Sequence, residues 1–124
     1  MSIFTMEPSE YTPFISFDHD LGVLKIEGKS IPDNPVKLFQ PLMENVINYC
    51  ETPSSDKTIV EIKLEYSNSS SFKWIFYILE KFENLYVSKK HPVTVKFYYN
   101  DESMLEMGMN LQRNLALNFT FLKY

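Results

Sequence analysis

The sequence predicts an α/β domain of two layers, α+β-like, in which a mixed sheet carries its helices on one face, in the order ββαβαβαβ. Three observations predict it. Two segments alternate between apolar and polar residues. In the first, Val60, Ile62, Leu64 and Tyr66 oppose Glu61, Lys63 and Glu65. In the second, Val93, Val95, Phe97 and Tyr99 oppose Thr94, Lys96 and Tyr98. A sheet covered on both faces carries continuous apolar strands, so alternation implies one polar face. Next, segments with helical periodicity separate these strands. Finally, 124 residues with 44% hydrophobic content suffice for one core and are too few for two, so residues 1–124 read as one domain.

The elements follow in order. Phe14-Ile15-Ser16-Phe17 and Val23-Leu24-Lys25-Ile26-Glu27 are β-type runs joined by the turn-rich Asp18-His19-Asp20-Leu21-Gly22, a hairpin. Ser30-Ile31-Pro32-Asp33-Asn34-Pro35 breaks the pattern, with Asn34 suited to an N-cap and Pro35 to the first helical position. Phe39, Leu42, Met43, Val46, Ile47 and Cys50 then recur at helical spacing. Pro41 lies inside this helix and should kink it or tighten its first turns. Thr52 to Asp56 is a loop and Thr58 to Tyr66 the clearest strand.

Ser70 to Val87 is a strongly apolar helix with a stripe of Phe72, Ile75, Phe76, Leu79, Phe82 and Tyr86, widened by Trp74, Ile78 and Leu85. After the strand Val93 to Tyr99, Asp101 can cap a third helix carrying Met104, Met107, Leu111 and Leu115. Asn118 to Leu122 is a final short strand.

Composition removes several functions. The net charge of -4 and the lone basic cluster Lys89-Lys90-His91 argue against nucleic acid, which needs several spaced cations. No secretory leader is legible in Met1 to Glu10, and no apolar run approaches the ~20 residues of a membrane span, so a cytoplasmic protein is expected. The single cysteine, Cys50, cannot form an internal disulfide and reads as a buried thiol. His19 and His91 fall in loops far apart, each without a ligand at metal spacing. Three glycines build no phosphate loop. No metal, cofactor or catalytic set of acid, base and nucleophile is expected, and the chain reads as a non-enzyme.

The chemistry concentrates in Tyr66-Ser67-Asn68-Ser69-Ser70-Ser71-Phe72-Lys73, which joins the best strand to the most apolar helix. Consecutive hydroxyls fall where the free N–H groups of a helix start point outward. One reading is capping by Ser69 or Ser70, worth ~1 kcal/mol. Capping needs only one hydroxyl. The other reading is phosphorylation, since a helix start favours an anion and about two added charges can abolish docking of a partner. The residues leave both open.

Four ordered motifs resemble a known family. They are Thr12-Pro13-Phe14-Ile15-Ser16-Phe17-Asp18, then Ser30-Ile31-Pro32-Asp33-Asn34-Pro35 with Phe39 and Pro41, then Tyr66 to Lys73, and Tyr98-Tyr99-Asn100-Asp101-Glu102-Ser103-Met104-Leu105-Glu106-Met107-Gly108. Together they resemble the SiaC-type regulatory phosphoproteins, which are related in fold to the STAS domains of anti-sigma-factor antagonists. The resemblance implies a STAS-like domain that acts by partner switching. A serine/threonine kinase phosphorylates it, a PP2C-type phosphatase reverses this, and the unphosphorylated form binds a target such as a diguanylate cyclase. It implies an acceptor directly after Asn68, which is Ser69, with Ser70 and Ser71 as neighbouring alternatives. Asn68 and Lys73 are the other motif residues expected at the partner-contact site. Ser stands at position 69 where the family usually has Thr, and Ser67 replaces an aromatic. The rival expectation is a constitutive interaction module of the same fold.

Overall fold

The structure, a computed structural model, describes residues 3–124. Met1 and Ser2, the start of the segment read for a leader, lie outside them. One six-stranded sheet runs in the order β1-β2-β3-β4-β5-β6. Its strands are β1 (Ile3–Met6), β2 (Phe14–Asp18), β3 (Val23–Ser30), β4 (Thr58–Ser67), β5 (Val93–Tyr99) and β6 (Asn118–Lys123). Three helices connect them: α1 (Pro35–Glu51), α2 (Ser69–Lys89) and α3 (Glu102–Arg113). The predicted element order is therefore corrected at its start, where β1 precedes the hairpin. β1 is four residues long and holds its place by antiparallel pairing with β2, a long-range contact with no local signal.

β1 to β3 pair antiparallel, and β3 to β6 pair parallel. Each parallel connection contains one helix and moves one strand in the same direction. Right-handed crossovers moving one way place every helix on the same face. This explains the alternation. Val60, Ile62, Leu64, Val93, Val95 and Phe97 are buried, while Glu61, Lys63, Glu65 and Lys96 lie on the other side. Across that polar face the Lys63 Nζ sits 4.9 Å from the Tyr124 ring centre and 5.6 Å from that of Tyr98.

The helix ends follow their capping residues. Asn34 Oδ1 accepts from the Lys37 N–H at 3.2 Å, with Pro35 opening α1. Asp101 Oδ1 accepts from the Met104 N–H at 2.8 Å. α1 continues through Pro41, whose ring is exposed, so the Lys37 carbonyl it leaves unpaired lies on the wet side. The core of α1 comprises Leu38, Phe39, Leu42, Met43, Val46 and Tyr49.

Three residues read as core-facing are exposed: Ile47 at 40%, Tyr86 at 40% and Tyr66 at 57%. Ile47 lies at the margin of its helical stripe, and Tyr86 lies in the last turn of α2. Tyr66 has a different cause. Gly28 pairs with Leu64 but Lys29 with Tyr66, so Glu65 is an extra residue in β4. This bulge reverses the inside–outside parity, turning Tyr66 out and Ser67 in. Gly28 stands at the shift with φ +113°, a conformation other residues rarely adopt. Among the described residues, no helix is long and apolar enough to cross a membrane.

Candidate functional site

The bulge sets the geometry of the hydroxyl cluster. Beyond it, Ser67 pairs with Ser30 at the end of β3, and both are buried. The chain leaves β4 at Asn68, whose N–H donates to the Ser30 carbonyl at 3.0 Å. Asn68 is in extended conformation and caps α2, its Oδ1 accepting from the Ser71 N–H at 2.9 Å. The cap expected from Ser69 or Ser70 is thus supplied by Asn68, because α2 starts one residue earlier than its apolar pattern indicates.

The three consecutive serines then diverge. Ser71 is fully buried; its hydroxyl accepts from the Ser30 hydroxyl at 2.8 Å and donates to the Ser30 carbonyl at 3.1 Å. Ser70 is half-buried and donates to Asn68 Oδ1 at 3.0 Å. Ser69 is exposed, and its hydroxyl makes no hydrogen bond among the described residues. A kinase must seat the acceptor hydroxyl in its own active site. An exposed, unbound hydroxyl permits that, whereas a buried hydroxyl bonded on both sides does not.

Ser69 also heads a groove of about 260 Å³ between α2 and α3, lined further by Phe72, Phe76, Met107, Asn110, Leu111 and Asn114. The groove is mostly apolar and has no charged side chain in its lining. Lys73 is exposed one turn along α2 from Ser69, on the same side of the helix. The positive end of the α2 dipole lies beneath Ser69. Such a site can bind an apolar partner surface and can accept a negative charge.

The remaining candidate chemistry lies elsewhere. His19 and His91, read as unrelated loop residues, flank Tyr49, with ring centroids 5.2 Å and 6.5 Å from its own. They sit by the start of β4, at the opposite end of that strand from Ser67. His19 Nε2 contacts Asn45 Oδ1 at 2.8 Å. Among the described residues no three His, Cys, Asp or Glu side chains are grouped to hold a metal. Burial pushes the half-buried Cys50 thiol up to about 11, against the opposing pull of Lys89 and Lys81. That leaves it protonated and unreactive near neutral pH.

Sequence reasoning missed the roles of Ser30 and Ser67. Each is a small polar residue ending an apolar strand, a weak signal that becomes specific only when the two strands pair in register.

Comparison with known proteins bears on this geometry. A family model described as SiaC family regulatory phosphoprotein matches residues 6–124. The chain is 25% identical over 121 residues to an uncharacterized protein of Pseudomonas aeruginosa strain UCBPP-PA14, covering 96% of this chain and 94% of that one. The crystal structure of apo-SiaC from Pseudomonas aeruginosa superposes with a TM-score of 0.89 at 24% identity, over 98% of this chain and 99% of that one. A chain in the crystal structure of the diguanylate cyclase SiaD in complex with its activator SiaC, from the same organism, gives 0.90 at 23% identity, over 98% and 99%. These superpositions establish a shared α/β fold.

Proposed function

The chain belongs to the SiaC family of regulatory phosphoproteins, and from that premise we propose that it is a non-catalytic partner switch controlled by phosphorylation of Ser69. In this reading a serine/threonine kinase adds the phosphate and a PP2C-type phosphatase removes it. The unphosphorylated form binds a target signalling protein, such as a diguanylate cyclase, through the surface around Ser69. A solved complex of a similar fold pairs a diguanylate cyclase with its activator SiaC.

The observation that carries the reading is the contrast within one turn of helix. Ser69 is exposed and unbound at the head of an apolar groove, while Ser70 is tied to Asn68 and Ser71 is buried. Asn68 holds the helix start in place. A phosphate on Ser69 gains from the helix dipole and from Lys73 one turn away, so the helix tolerates it. A partner seated in the groove does not, because about two charges would have to leave water against its mostly apolar lining.

Phosphopeptide mapping after treatment with the cognate kinase tests the assignment. Phosphate on Ser69 is expected. Phosphate confined to another residue removes Ser69 as the switch, and failure of any kinase encoded beside the gene to modify the chain leaves a constitutive interaction module.

A further inference from the structure

Among the described residues, one edge of the sheet and one flank of α3 stand without a neighbour, and the two adjoin. β6 pairs on one side only, with β5. The Tyr124 N–H donates to the Tyr99 carbonyl at 3.0 Å. Backbone groups alternate in direction along a strand, so the N–H and C=O groups of Phe119, Phe121 and Lys123 face the free edge. That edge has no proline and no register shift, and Lys123 is its one charge, whereas natural edges are commonly guarded by such features. Phe119 and Phe121 are half-buried on it, with ring centroids 5.8 Å apart.

α3 buries Met104, Gly108 and Leu111. Met107, Asn110 and Asn114 border the groove with α2. Helical geometry therefore places Leu105 and Met109 on the opposite flank, toward the free edge of β6. They line a shallow groove with Glu102 and Glu106 near its start and Arg113 at its end.

We propose that this edge pairs with β6 of a second copy of the chain, antiparallel, about a two-fold axis perpendicular to the sheet. Two features select a second copy over an unrelated strand. The first is spacing. α3 packs on β5 and β6, so joining two β6 edges sets the two α3 axes two strand spacings apart, about 9.5 Å. Helices pack at about 8–10 Å, so Leu105 and Met109 of each copy meet across the axis. The second is charge. The two-fold axis runs the α3 helices antiparallel, which sets Glu102 of each copy opposite Arg113 of the other, whose guanidinium turns from Asn110 of its own helix to meet it. A foreign strand without α3 would pair with the backbone and leave Leu105, Met109 and Glu102 unmatched. The Ser69 groove lies on the other flank of α3, so each copy keeps it open, both on one side of the joined sheet.

Sedimentation equilibrium from about 1 μM to about 1 mM protein tests this, with circular dichroism checking that each variant is folded. A monomer–dimer equilibrium is expected within that range. Met109→Glu, Glu102→Arg and Arg113→Glu should each weaken it about tenfold or more, and combining Glu102→Arg with Arg113→Glu should recover most of the loss. In the unmodified protein, exchange of the Phe119 and Phe121 amide hydrogens should slow as concentration rises. A monomer throughout, a dimer indifferent to these substitutions, or concentration-independent exchange at Phe119 and Phe121 overturns the proposal.

Discussion

The hydroxyl of Ser71 accepts from that of Ser30 at 2.8 Å and donates to the Ser30 carbonyl at 3.1 Å, joining two fully buried residues 41 positions apart. This pair fixes the rotation of the first turn of α2 against the end of β3. Two residues earlier, about 200° around the helix, that rotation turns Ser69 to solvent.

Ser71→Ala should therefore destabilise the fold. It leaves the buried Ser30 hydroxyl without its acceptor, which costs about 1–3 kcal/mol. Ser70→Ala removes one bond from a half-buried, locally paired hydroxyl and should cost about 1 kcal/mol or less. Urea unfolding of the two variants distinguishes them. Equal effects would show that the Ser30–Ser71 pair does not anchor the helix.

Ser69 should respond in the opposite way. Ser69→Ala and Ser69→Asp should each shift stability by about 1 kcal/mol or less, since the residue is exposed and an acid suits a first turn. Binding should separate them. Ser69→Ala should retain affinity for the target, while Ser69→Asp should lose at least about tenfold, or ~1.4 kcal/mol. Calorimetry with stoichiometrically phosphorylated protein is the stricter form, because Asp carries less charge than phosphate. Unchanged affinity with the phosphate on Ser69 would sink the switch.

His91 should be the Nε2–H tautomer. Ser55 Oγ donates to the Lys57 carbonyl at 2.5 Å, which has no proton to return. Tyr49 must then donate to Ser55 at 3.0 Å, Thr58 to Tyr49 at 2.7 Å, and His91 Nε2 to Thr58 at 2.8 Å. Nitrogen-15 shifts of the imidazole report this directly. Burial holds the His91 pKa below its ordinary 6.5, against the opposing pull of Asp56. A depressed folded value means that the unfolded chain binds more protons. The stability it contributes is complete above the ordinary value and falls as pH drops through it toward the folded one. His91→Gln should flatten that acid-side slope in urea midpoints measured from about pH 8 to about pH 5. An unaltered slope would assign the loss to other groups.

Gly108→Ala should reverse the usual helix preference. Alanine in a helix interior normally gains up to about 1 kcal/mol over glycine. Here the added Cβ would stand 2.6 Å from Cδ1 and Cε1 of Phe97 and 2.9 Å from Cε1 of Phe121. Phe97 is fully buried and cannot move aside. A net loss of about 1–3 kcal/mol is expected, read as a lowered unfolding midpoint. A stabilised variant would show that α3 can lift from the sheet without cost.

The sequence by itself determined the features whose causes are local. Alternation in Thr58 to Tyr66 and Val93 to Tyr99 announced a sheet with one covered face, because side-chain direction has a period of two along any strand. Asn34, Pro35 and Asp101 marked helix starts because their capping bonds reach only a few residues ahead. Four short motifs sufficed for the family. Only the tertiary structure decided the rest. β1 depends on its pairing with β2. The extra Glu65 is defined only by comparison with β3, yet it turns Tyr66 out and Ser67 in. His19, Tyr49 and His91 meet because three separate elements end together. Ser69, Ser70 and Ser71 are chemically identical in the chain. Which is buried depends on the phase of α2 relative to the sheet, and contacts between residues far apart in sequence set that phase.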